Sequence, residues 1–312
     1  MAKNKRLIQR FLSIQQSGGS TTLPDTISDD FASGFNARWQ QAGSAWAAPA
    51  GAAICTPTLG AELFLNGTFA TDTNWSKGTG WTISGGTGNK AAGTAGTISQ
   101  TVTSANNWNR IQFDLTVTAS TFAGVHGSAT NLGKAFSTSG TNIVSTRYAN
   151  NTGLGIRGVT STSAGSIDNA SAKQITISDM MATISGLKNS ANISASVTIG
   201  QDTPAGVVGW LDSYTSPANY IVCFHNGENL TLLKVVAGTI TQLINTAATY
   251  VAGGVVSVTG QRSGSNLLLT ARYNGAQVGT QQTVSDAGIV ANTRHGIFSS
   301  ASLNTFSNFT VR

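Results

Sequence analysis

The chain has 312 residues, of which 40% are hydrophobic and 10% charged, and a formal net charge of +6. That length allows two domains of ordinary size, and the apolar share suffices for cores of sandwich type. Charge so far below the usual quarter leaves a surface of Gly, Ser, Thr, Ala and Asn, which suits neutral partners better than nucleic acid.

The basic excess is local. Lys3, Lys5, Arg6 and Arg10 crowd the first ten residues, and no basic patch recurs later among aromatics. The segment LIQRFLSIQQ that contains Arg10 lacks the apolar centre of a signal peptide, so synthesis in the cytoplasm is expected. No run of eighteen apolar residues exists, so no membrane span is expected. Cys55 and Cys223 are too few for a disulfide framework and read as buried thiols.

Residues 1–24 read as an arm and linker, helical or extended. Leu7, Ile8, Phe11 and Leu12 form one apolar stripe, Lys5, Arg6 and Arg10 lie beside it, and SGGS at 17–20 breaks the pattern. A short amphipathic segment on a flexible tether cannot bury its stripe alone, so these seven residues are the expected docking surface for a partner.

Residues 25–57 hold a dense aromatic group, Phe31, Phe35, Trp39 and Trp46, in a stretch too short to be a domain. Its rings need a sheet elsewhere. Within 58–177, Ile111, Phe113, Leu115 and Val117 alternate with Gln112, Asp114 and Thr116, the pattern of a half-buried antiparallel strand. Further strands are expected near 97–102, 121–125, 155–159 and 166–175. Within 178–312, Ile193, Ala195, Val197 and Ile199 alternate, and strands follow near 207–211, 220–224 and 230–236. Leu267, Leu269, Ala271 and Tyr273 form another, ended by the hairpin signal Asn274-Gly275. No helical pattern separates these strands. The expected class is all-β, with two antiparallel β-sandwich or jelly-roll domains behind the N-terminal arm.

Two resemblances refine this. ELFLNGTF from Glu62, then NW and GW, closing with GSIDNAS from Gly165, resembles the jelly-roll carbohydrate-binding modules attached to xylanases and other polysaccharide hydrolases. Such modules are also common in bacteriophage structural proteins. WLDSYTSPANYIVCFHNGENLTLLKVVAGTI, LLLTARYNGAQVG and HGIFSSASLNTFSNFTVR together resemble the laminin-G and concanavalin-A-like lectin sandwiches, and DDFASGFNARW at 29–39 matches that family's beginning. The resemblances imply a lectin-like sandwich made of 25–57 plus 178–312, with 58–177 inserted as a jelly roll. Simple tandem order is the alternative.

They also imply a role: a virion structural protein, either capsid decoration or a tail or fibre component, made in the host cytoplasm. It would dock on other virion proteins through its arm, form a homo-oligomer and face cell-surface glycans. The alternative is a glycan-binding accessory module of a polysaccharide-degrading system. No nucleic-acid partner and no required cofactor are expected.

Trp75, Trp108 and Tyr148 in the middle segment, with Tyr214 and Tyr220 in the last third, are the expected sugar-facing aromatics. Polar neighbours lead to the expectation that Trp75 and Trp108 are exposed, whereas Trp81 and Trp210 read as core. The jelly-roll likeness implies a structural calcium where first and last strands meet. Glu62, Asn66 and Asp168 are the oxygen donors there, although Thr68 stands where such modules commonly carry an acidic residue. For catalysis the chain offers only two glutamates, Glu62 and Glu228, assigned to different domains, and three scattered histidines, His126, His225 and His295. With no paired carboxylates to flank a glycosidic bond, a non-enzyme is expected.

Overall fold

The computed structural model describes residues 26–49, 51–102, 107–126, 134–146, 153–185, 192–302 and 304–312. The residues singled out for docking, Lys5 to Leu12, and the sugar candidate Tyr148 lie outside them. The described residues form four sheets of nine, seven, six and five strands, and the strands pair antiparallel.

The nine- and seven-stranded sheets draw on both ends of the chain. In the nine-stranded sheet, Thr305–Val311 lies between Asn192–Ile199 and the short strand Ala53–Cys55, and it also pairs with Ile27–Asp29. In the seven-stranded sheet, Trp39–Gln40 pairs with Met181–Ile184. The aromatic segment therefore supplies strands to both sheets, and its rings find cover there. Trp39 meets Phe309 at 5.0 Å and Trp46 meets Phe306 at 5.4 Å between centroids. Asp29 fixes the local turn, accepting from Phe31 N at 2.7 Å, Trp39 Nε1 at 2.7 Å and Asn36 Nδ2 at 2.9 Å. One shared core fills the space between the two sheets. Asn274 and Gly275 both take positive φ, 50° and 81°, in the two-residue turn from Asn266–Tyr273 into Ala276–Gln277, as the Asn-Gly signal requires.

The six- and five-stranded sheets come wholly from residues 59–175 and enclose a second core that includes Phe69, Phe113 and Phe122. Their chain enters and leaves at one place: Thr176 N donates to Thr58 O at 3.1 Å, and Leu59–Glu62 pairs with Ala164–Ile175.

A third apolar cluster joins the two sheet pairs. Strands Ala205–Leu211 and Tyr220–His225 are buried at every residue, so both faces are covered. Ala205, Val207, Ile221 and Cys223 point into the sandwich core, while Val208, Tyr220, Val222 and Phe224 point the other way. Trp108 and Ile175 from the middle segment join that opposite cluster. Trp108 lies 5.6 Å from Phe224 and 5.2 Å from Phe298 between ring centroids. Polar ties border the join: Lys134 pairs with Asp202, Ala135 N donates to Glu228 Oε1 at 3.1 Å, and Ser145 Oγ donates to Ser300 O at 2.7 Å.

His295 is fully buried in the Arg294–Ser299 strand, edge-on to Trp210 at 4.9 Å. Neither ring nitrogen has a hydrogen-bond partner in the structure. Burial pushes its pKa down to about 3, so it folds as the neutral ring.

Two outcomes are expected. Trp108→Ala removes the ring that fills the join and should cost about 3–5 kcal/mol in denaturant unfolding; a loss under about 1 kcal/mol would show that the join does not depend on it. For His295 the folded pKa lies below the unfolded value near 6.5, so the unfolded chain binds more protons between them. Its stabilising contribution is complete above about pH 6.5 and falls as pH drops toward 3. His295→Phe should flatten that part of the stability–pH curve; an unchanged slope would refute the assignment.

Candidate functional site

The outward face of the six-stranded sheet is an open polar strip. Its centre is the strand Asn109–Ala119. Ile111, Phe113 and Leu115 are buried in the core, so the intervening Arg110, Gln112, Asp114 and Thr116 stand on the other side. The neighbouring strand Ala164–Ile175 carries a β-bulge. Gln112 pairs with Ser171 but Asp114 pairs with Asp168, and Asn169 in the extra position takes φ 48°. The bulge re-phases the strand, so Asp168 and Ser171 share the open face although three positions apart, while Ile167, Ala170 and Ala172 stay buried.

Three clefts run along this face. One of about 560 Å³ lies between Trp81, Lys90 and Thr118. A second of about 480 Å³ surrounds Asp114, Asp168 and Thr141, and shares Thr116 and Ser166 with the first. A third of about 200 Å³ continues past Arg110, Gln112, Ser171 and Lys173. Hydroxyl, amide and charged side chains line all three, although the open surface of the first cleft is more apolar than polar.

Asp114 is held by two donors, Thr141 Oγ1 at 2.6 Å and Asn169 Nδ2 at 2.8 Å. Those hydrogen bonds, Thr141 first, keep its carboxyl below the usual carboxylate range. Asp168 Oδ1 accepts from Asn169 N at 2.7 Å. The two aspartates are thus register partners on adjacent strands, a juxtaposition that depends on the bulge and has no signal in sequence spacing. Chemically the strip offers hydrogen-bond donors and acceptors to a hydroxyl-rich ligand.

The aromatics expected to face sugar are placed differently. Trp75 is buried between Phe64 and Phe69, at 4.8 and 4.9 Å, and its Nε1 donates to Asn66 O at 3.0 Å. Trp108 fills the join described above, and Tyr220 is fully buried beside it. The expected exposure of Trp75 and Trp108 is therefore corrected: polar sequence neighbours do not decide which surface a ring meets, and Asn109 beside Trp108 is itself fully buried. Tyr220 likewise offers no open ring face. Tyr214 is half-buried, with the Arg294 guanidinium over its ring at 5.1 Å. Trp81 and Trp210 are core, and all six tryptophans are buried.

The proposed calcium ligands have separate occupations. Glu62 accepts from Phe64 N at 3.1 Å, Ala172 N at 2.7 Å and Ser171 Oγ at 2.5 Å. Asn66 turns its amide nitrogen, not its oxygen, to the carbonyls of Thr71 and Thr73, at 2.6 and 3.1 Å. With Asp168 engaged elsewhere, this donor set does not fit a hard cation, and no group of three or more His, Cys, Asp or Glu suited to a metal occurs among the described residues. His225 is a satisfied core histidine: its Nε2 meets Ala248 O at 2.8 Å and its Nδ1 accepts from Gly227 N at 2.9 Å. Cys55 and Cys223 are free and buried, and burial pushes both thiols up, away from reactivity.

No known family model matches the chain, and no curated protein matches it in sequence. Among solved structures, it is similar to a xylan β-1,4-xylosidase from Bacillus halodurans at 13% identity and a TM-score of 0.32, over 42% of this chain and 29% of that one. It is similar to a tail fibre protein from an E. coli phage at 10% identity and a TM-score of 0.32, over 72% and 35% respectively. It is also similar to a carbohydrate-binding module from Bacillus subtilis at 9% identity and a TM-score of 0.24, over 78% and 97%. The chain spans less than a third of the xylosidase, and overlap at this level assigns no function.

Proposed function

We propose that this chain is a non-catalytic, glycan-binding β-sandwich protein of a bacteriophage particle, with the six-stranded sheet as its binding face. The observation that carries the binding assignment is the open polar strip around Thr116 and Ser166, the residues common to two adjoining clefts. The competing face, the outer side of the seven-stranded sheet, is already buried under the middle segment. We read residues 58–177 as a guest inserted in the sandwich formed by the flanking segments, which the strand pairing supports. Placement on a particle rests on the basic amphipathic arm in the sequence and on the jelly-roll likeness.

With the tryptophans buried, recognition on this face relies on hydrogen bonds worth about 0.5–1.5 kcal/mol each, without a stacking platform. Single-site affinity is accordingly weak, and display in many copies supplies avidity.

One observation favours a second reading, hydrolysis by the Asp114–Asp168 pair. A general acid, however, needs a raised pKa, and the donors on Asp114 push it the other way.

Two experiments test these readings. The full chain is screened on a glycan array, with Thr116→Met as the uncharged variant that fills the shared rim without touching the core. Binding by the wild type, reduced at least tenfold in the variant, is expected; no binding to any glycan removes the proposal. Release of reducing sugar that disappears in Asp114→Asn would replace it with the enzymatic reading. Separately, deleting residues 1–20 should leave the melting transition in place and abolish particle attachment. Normal copy number on particles would remove the arm's docking role.

A further inference from the structure

Lys90 is 3% exposed, yet its ammonium has a single hydrogen-bond partner among the described residues, Ala91 O at 2.5 Å. Its stem runs between the two middle sheets: a β-carbon at Gly158, on the opposite sheet, would stand 3.0 Å from Lys90 Cε. The head lies beside Gly80, against the backbone of Ala91. A β-carbon at Gly80 would lie 2.8 Å from Nζ, and φ there is +76°, so the turn favours glycine and the ammonium packs directly on its backbone. Gly80 and Ala91 both line the 560 Å³ cleft that also contains Thr116, Thr118 and Ser166.

Three N–H donors with one acceptor leave a buried cation short of partners, which is costly unless something else supplies charge. The cleft lining contains no carboxylate. The other described lysines that form ion pairs do so elsewhere: Lys77 with Asp72, Lys134 with Asp202 and Lys234 with Asp286. Burial alone lowers the Lys90 pKa, with no carboxylate holding it up. An anion entering the cleft would restore the missing partner.

We infer that the Trp81–Lys90 end of the strip is a subsite for the anionic oxygen group, carboxylate or sulfate, of an acidic polysaccharide. Lys90 provides the counter-charge, and the hydroxyls of Thr116, Thr118 and Ser166 take the neighbouring sugar hydroxyls. The inference rests on the glycan-face reading and narrows it to a substrate class.

The test is calorimetric titration of the full chain with polygalacturonate, dextran sulfate and unsubstituted dextran at neutral pH. An acidic polymer should bind at least tenfold tighter than dextran, and added salt should erode the difference. Lys90→Met, which keeps the stem and removes the charge, should cost at least tenfold in acidic-polymer affinity. Thr118→Glu, on the exposed rim, should do the same without touching the core, and so keeps the test decisive where the Lys90 variant fails to fold. Preference for polygalacturonate or for dextran sulfate identifies carboxylate or sulfate as the group recognised. Equal affinity for charged and neutral polymers, unmoved by Thr118→Glu, overturns the anion subsite and leaves the glycan face standing. No binding to any of the three, with a blank glycan array, removes both.

Discussion

The double burial of the inner strands of the seven-stranded sheet, Ala205–Leu211 and Tyr220–His225, governs the arrangement of everything else. A sheet with one apolar face can end at water, but Val208, Tyr220, Val222 and Phe224 make the second face apolar as well. A face of that kind exposed to solvent would be an aggregation site, so it requires a cover. The middle segment provides it through Trp108 and Ile175, and two consequences follow. The two sheet pairs share one apolar join bordered by polar ties, and the six-stranded sheet, apolar on its inner face only, keeps its outward face open to water.

On that outward face, local chemistry sets the pattern of polar groups. The six-stranded sheet alternates strictly along Asn109–Ala119, so its outward groups are polar by pattern. The bulge at Asn169 then brings two carboxylates into register where simple alternation would have placed one inward. Both ends of the strip carry cations, Lys90 at one and Arg110 with Lys173 at the other, around this acidic centre. The face is therefore patterned in charge rather than uniformly neutral, against the impression that bulk composition leaves.

Much of the fold was legible in the residues. Alternation located the Asn109–Ala119 and Asn192–Ile199 strands, and Asn274-Gly275 located its hairpin, because period and turn chemistry are local properties. The site was less legible. Asn107 and Asn109 flank Trp108 in sequence, but burial depends on which surface a ring meets, and that surface comes from residues over a hundred positions away. One signal was available: Tyr220–Phe224 is a continuous apolar run instead of an alternating one, which implies a sheet buried on both sides. The Asp114–Asp168 pairing had no comparable signal, since it follows from register and a one-residue bulge.

The hydrogen bond from Thr176 to Thr58 has a mechanical meaning. It clasps the two crossings between the sheet pairs side by side, next to the antiparallel contact of Leu59–Glu62 with Ala164–Ile175. Tension transmitted along the backbone from the early strands to the late ones is borne across that clasp. The middle sheets hang beside the load path and are stretched only after the clasp has opened.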